Sequence, residues 1–190
     1  MAELARLALS QAPEGPLAIA GHSMGGYVAL EILRQAPERI TRAAFLNTHA
    51  RPDTPESTEN RKRLMALAEK DFPAVISTLM PKLMTQEHLR NDEITGTVNE
   101  MALATGKEAF LRQQRAIIGR VDSRPHLARI ACRTLVVAAR EDQLMPVELL
   151  RELADGIPGA TLAIVEDSGH VASLEQPEKV TALLRGWLRG

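Results

Sequence analysis

The stretch from residue 17 to residue 33, LAIAGHSMGGYVALEIL, decides how this chain is read. Residues 17–20 are apolar without alternation, as expected of a strand covered on both faces of a parallel sheet. A helical pattern begins at about Met24 and continues to Gln35. A strand that stops where a helix starts leaves a very tight turn, with Ser23 at its apex. Gly21 and Gly25 stand two residues to either side of the serine. Both are expected to relieve the crowding there because they carry no Cβ. The hydroxyl then projects past the sheet, and the first amides of the helix, starting with Met24 N–H, point at whatever sits on it. G-x-S-x-G between a strand and a helix is the nucleophile-elbow pattern. Taken alone, the pentapeptide also fits a helix N-cap, where serine is favoured.

Working outward, residues 42–48 (RAAFLNT), 134–139 (TLVVAA) and 160–166 (ATLAIVE) read as further strands. Helices are expected at residues 1–12 and 147–155. A last helix carries Val180, Leu183, Leu184, Trp187 and Leu188 on one face. Residues 48–58 (THARPDTPEST) read as a polar turn. From residue 61 to about 120 the signals are helical, in four pieces at 60–72, 74–80, 88–105 and 107–118, the third weakened by Gly96 and Thr97. Alternating strands and helices imply an α/β fold, a partly parallel open sheet of about four strands. The all-helical stretch between the second and third strands is too long for a crossover and reads as a cap. The division expected is a core of residues 1–50 and 121–190 and a helical cap of residues 51–120. Leu79, Met80, Leu83 and Met84 would either line an apolar pocket or form the cap's own core.

Length and composition bound the function. At 190 residues, with 45% hydrophobic and 25% charged residues, one globular domain is expected. A formal net charge of −1 gives no electrostatic footprint for nucleic acid or an anionic membrane. Cys132 is the single cysteine and lies in an apolar run, so a buried structural thiol is expected and a disulfide framework is excluded. No apolar stretch reaches the length of a membrane span, and residues 1–15 contain Glu3 and Arg6 with no signal-like block, which points to the cytoplasm.

A serine nucleophile needs a base, and the base needs an orienting acid. Of five histidines, His170 follows the fourth strand in VEDSGHVASLEQPEKV. His22 precedes the serine and is expected to point away from it. His49 follows the second strand and is the rival base; His88 and His126 belong to the helical insert or its exit. The acid is sought after the third strand, in VVAAREDQLMP, where Asp142 is chosen and Glu141 is the runner-up. In a parallel sheet such strand ends gather along one edge, where open α/β sheets bind ligands.

These motifs together resemble the α/β-hydrolase superfamily, particularly its capped, cofactor-free esterase-like members. GHSMGG is similar to their nucleophile elbow. AAREDQLMP resembles their acid loop, with Pro146 in register and Ala139 where glycine is usual. SGHVASLEQPEKV resembles their histidine loop. Arg133 stands where proline is common. The resemblance implies Ser23 as nucleophile, His170 as base, Asp142 as acid and Met24 N–H as an oxyanion donor, acting on a small apolar acyl substrate without cofactor or metal. Carbon–carbon bond hydrolysis and lactone opening use the same three residues, whereas dehalogenation needs an aspartate at position 23. A non-catalytic binding module is the alternative.

The resemblance also implies several further strands before the one that leads into the elbow, and a loop among them donating a second oxyanion N–H. The 22 residues preceding Ser23 contain neither, so weak activity is expected. Residues 17–20 would then form a sheet edge, covered by a second copy in an edge-to-edge homodimer or by the first helix.

Overall fold

A computed structural model describes residues 1–189. It contains strands β1 (Leu17–His22), β2 (Ile40–Leu46), β3 (Arg133–Ala139) and β4 (Thr161–Val165), all parallel and in the order β1-β2-β3-β4. Helices α1 (Ala2–Gln11) and α2 (Met24–Gln35) flank β1. Helices α3 (Pro55–Lys70), α4 (Phe72–Leu83) and α5 (Asp92–Ile118) all fall between β2 and β3. Then come α6 (Val147–Gly156), α7 (Ala172–Glu175) and α8 (Pro177–Arg189). Among the described residues, no helix is long and apolar enough to cross a membrane.

The period-2 alternation of the central strands builds two cores. Ala43, Phe45, Val136 and Ala138 pack on one face with Leu30 and Leu33 of α2 and Leu150 and Leu153 of α6. Ala44, Leu46, Leu135, Val137 and Ala139 pack on the other with Ala172, Val180 and Trp187. Both faces of β2 and β3 are thus apolar and covered, the signature of interior parallel strands. β1 departs from its expected burial on both faces. Leu17 and Ile19 pack into the first core, but Ala18 and Ala20 are exposed, because α8 packs over β3 and β4 at the far side of the sheet. β1 is an edge strand among the described residues. α1 packs on α2, with Ala5 fully buried and Gln35 donating to the Ala2 carbonyl at 3.0 Å.

The insertion has its own small core, in which Ala68, Val75 and Leu111 are surrounded by Leu64, Phe72, Leu79 and Phe110. α3 begins within the segment expected to be a turn. Thr54 caps it by accepting the Ser57 amide at 3.1 Å, and Pro55 takes the first helical position. α5 runs unbroken through Gly96 and Thr97 and breaks at Gly106, whose φ of 78° and ψ of 162° separate the two pieces read from the sequence. The neck of the insertion is clamped by buried charge. Asp53 Oδ1 accepts from Arg120 at 2.8 Å and from Arg61 at 3.2 Å, while Arg120 Nε donates to the Arg51 carbonyl at 3.0 Å.

Candidate active site

Ser23 sits between β1 and α2 with φ 51° and ψ −116°, a conformation that is costly for a residue with a Cβ. Three hydrogen bonds to its backbone groups hold it there. Ser23 N–H donates to the Leu46 carbonyl at 2.9 Å, and the Ser23 carbonyl accepts from Gly26 N–H at 2.9 Å and from Thr48 Oγ1 at 2.8 Å. The turn is tight, but not at both glycines expected. A Cβ on Gly21 would lie 2.4 Å from the Gly25 carbonyl oxygen, and one on Gly26 would lie 2.4 Å from Thr48 Cγ2. A Cβ on Gly25 would meet nothing within 4 Å. Gly25 therefore needs no bare Cα for space: its carbonyl is what crowds Gly21, while its own Cβ direction faces outward. The second crowded position is Gly26.

The serine is the N-terminal cap residue of α2 by position, yet its side chain makes no capping bond. Its Oγ lies 2.8 Å from His170 Nε2 instead. His170 Nδ1 lies 2.8 Å from Asp142 Oδ2. The same Oδ2 accepts from Asn47 Nδ2 at 2.8 Å, and Oδ1 accepts the amides of Leu144 and Met145 at 2.8 and 2.9 Å. Burial would raise the Asp142 pKa, but the hydrogen bond and charge of His170, with the Asn47 and Met145 donors, outweigh it and hold the carboxyl below its ordinary range. An ionised Asp142 in turn selects the His170 tautomer with its proton on Nδ1, leaving the Nε2 lone pair facing the serine. Glu141 is exposed, and its amide is tied to the Ser168 carbonyl at 3.0 Å. Met24 opens α2, where first-turn amides have no carbonyl partner within the helix.

The other histidines divide clearly. His22 does not point away from the site. Its Nε2–H donates to the His170 carbonyl at 2.7 Å, and its ring centroid is 4.9 Å from that of His170. Enclosure of the ring, then the neighbouring His170, lowers its pKa, although the residue keeps exposed surface. His49 joins Tyr27 rather than Ser23, with Tyr27 Oη 3.2 Å from Nε2. Its Nδ1 accepts the Arg51 amide at 3.0 Å, and burial with Arg120, Arg51 and Arg61 nearby lowers its pKa to about 4. His88 lies against Thr85 and Glu175. His126 faces a cavity of about 510 Å³ beside Leu33, Ile40 and Cys132, at the opposite end of the strands from Ser23. There burial pushes the half-buried Cys132 thiol up, away from thiolate chemistry.

Sequence reasoning missed Asn47, which it placed inside a strand. Asn47 has φ 48°, a left-handed conformation that asparagine tolerates, and it turns its amide onto Asp142 directly after β2. Of the four insert residues singled out, Leu79 and Leu83 line a cavity of about 210 Å³ inside the insertion with Val98, Met101 and Phe110. Met84 is buried, its backbone pressed against Gly169.

A serine in a strained strand-to-helix turn, approached from the ends of two neighbouring parallel strands, defines the α/β-hydrolase class of fold. The chain belongs to the alpha/beta hydrolase fold family, whose model matches residues 1–177. It is similar to a solved thermophilic esterase from Thermogutta terrifontis, with 32% identity, a TM-score of 0.87, and coverage of 97% of this chain and 67% of that one. The enol-lactonase from Burkholderia xenovorans LB400 is 25% identical, with a TM-score of 0.84 and coverage of 93% and 66%. The protein named "Putative carbamate hydrolase RutD" from Azorhizobium caulinodans is 31% identical over 173 residues, covering 89% of this chain. Its namesake from Serratia proteamaculans is 28% identical over 174 residues, covering 88%. The chain spans 64% of the length of each of these two RutD proteins.

Proposed function

We propose that the chain is a serine hydrolase acting on an ester or similar acyl bond of a small apolar substrate. One observation carries the reading: an unbroken path from Ser23 Oγ to His170 Nε2 and from His170 Nδ1 to Asp142 Oδ2, each step 2.8 Å. As Ser23 Oγ bonds to the substrate carbonyl carbon, its proton passes to His170 Nε2 and the carbonyl π pair moves onto oxygen. Asp142 stabilises the imidazolium through Nδ1–H. Met24 N–H faces the oxyanion. The tetrahedral species collapses, the bond to the leaving group breaks, and His170 gives its proton to that group. Water then attacks the acyl-serine with His170 as base, releasing the acid and restoring Ser23.

The relatives support an acyl carbonyl as the target, since esters, enol-lactones and carbamates all present one to a serine. This reading assigns one oxyanion donor, Met24 N–H. A polypeptide of these 190 residues is therefore expected to turn over p-nitrophenyl butyrate about 10²–10³-fold more slowly than an esterase with two donors. Ser23→Ala is expected to reduce that turnover to background. Hydrolysis at the wild-type rate in Ser23→Ala would overturn the reading.

A further inference from the structure

Outside the serine path, one buried carboxylate is wired to the loop that carries His170. Glu175, at the end of α7, has a fully buried side chain. Its Oε2 accepts the Gly169 amide at 2.7 Å, and its Oε1 accepts the Thr85 amide at 2.8 Å. His88 Nδ1 lies 3.1 Å from Oε1 and 2.9 Å from Thr85 Oγ1. Gly169 directly precedes His170, whereas Thr85 and His88 belong to the insertion just beyond α4. One carboxylate therefore holds the histidine loop and the insertion together.

The same two segments touch through backbone alone. Val171 N–H, directly after His170, donates to the Leu83 carbonyl at 3.0 Å. A Cβ on Gly169 would lie 2.8 Å from Met84 Cα, so only glycine lets the two chains approach this closely. Gln143, next to Asp142, reaches the Pro81 carbonyl at 3.3 Å. Both neighbours of His170 are thus bonded to partners outside their loop, and His22 holds its carbonyl from the third side. Removing an acceptor from Glu175 would leave a buried amide without a partner, and the loop would shift to find one.

We infer that Glu175 is a positioning residue for His170: its carboxylate fixes the histidine loop against the end of α4, so that the imidazole reaches Ser23 and Asp142 only while the insertion is docked. This role rests on the serine-hydrolase reading for its effect on rate, but not for its effect on geometry. A glutamine at position 175 cannot replace the carboxylate, because its amide nitrogen would face either the Gly169 or the Thr85 N–H, donor against donor.

The test compares wild type with Glu175→Gln by kcat and KM on p-nitrophenyl butyrate, and by the downfield NMR resonance of the His170 Nδ1 proton, assigned by its loss in His170→Ala. The expected result is a fall in kcat of about tenfold to a hundredfold, with KM within twofold and the resonance moved upfield or broadened. In a His170→Ala background the same change should cost no further activity. Glu175→Asp keeps a carboxylate but is one methylene shorter and reaches only one of the two amides; it should show an intermediate kcat and serves if the glutamine variant does not fold. An unchanged kcat and resonance in either variant, or a lower melting temperature with kcat intact, would overturn the role. Hydrolysis persisting in Ser23→Ala would instead overturn the serine reading, and the resonance would then decide the role of Glu175 alone.

Discussion

His49 and His170 each follow a parallel strand, and each is buried, 8% and 4% exposed. From sequence they are rival bases; in the fold their surroundings are opposite. His49 lies among Arg51, Arg61 and Arg120, and its Nδ1 lone pair is already used by the Arg51 amide. Its remaining nitrogen faces Tyr27, over whose ring Arg120 sits at 4.6 Å. His170 has a carboxylate at Nδ1 and a hydroxyl at Nε2. Burial is common to both, so burial does not distinguish them. What differs is the company of each ring: arginines surround His49 and oppose a proton on it, whereas an aspartate holds Nδ1 of His170 and leaves Nε2 to the serine. His49 belongs instead to the neck of the insertion, beside the Asp53–Arg120 pair.

The largest expected difference is in rate. His170→Ala should lower kcat on an activated ester by about 10⁶-fold, while His49→Gln should leave kcat within twofold. Equal losses in the two variants, measured by initial rates, would erase the distinction. Asp142→Asn tests the charge itself. It keeps the side chain's size, removes the carboxylate that selects the tautomer, and should cost about 10⁴-fold. An Asp142→Asn enzyme with near wild-type turnover would show that the acid partner is not what sets the two histidines apart.

The smallest effect is on stability, and it belongs to His49. Its folded pKa of about 4 lies below the ordinary value of 6.5, so the unfolded chain takes up the proton first. The stability from neutral His49 is fully present above pH 6.5 and is lost as the pH falls toward about 4. The size is on the order of 3 kcal/mol. Urea denaturation at pH 7 and at pH 4.5 should show the loss in wild type and a flatter dependence in His49→Gln. Identical slopes in the two proteins would contradict the burial and arginine environment assigned to His49.

How much of this was legible in the sequence depends on whether a feature is local. Unbroken apolar runs mark β2 and β3, because both faces of these strands are covered. The order of Ser23, Asp142 and His170 after the ends of three different strands, β1, β3 and β4, was readable for the same reason: a parallel sheet brings its carboxyl ends together. Boundaries slipped where a cap or turn intervenes. β2 ends at Leu46, leaving Asn47 free to adopt its left-handed turn, and Pro55 starts a helix inside an apparent loop. Long-range partners were not readable. Thr48 is what crowds Gly26, 22 residues away in sequence, and nothing in GHSMGG distinguishes Gly25 from Gly26 in that respect. The contacts of His22 with His170, and of Glu175 with Thr85, join residues whose separation only the fold removes.

The central claim is that the path through His170 and Asp142 makes Ser23 the reactive serine. Fluorophosphonate labelling of the purified protein, followed by peptide mapping, tests it most directly. The account predicts a single adduct on the peptide containing Ser23, absent in Ser23→Ala and formed far more slowly in His170→Ala. Labelling at another serine, or equal labelling of Ser23→Ala and wild type, would contradict it.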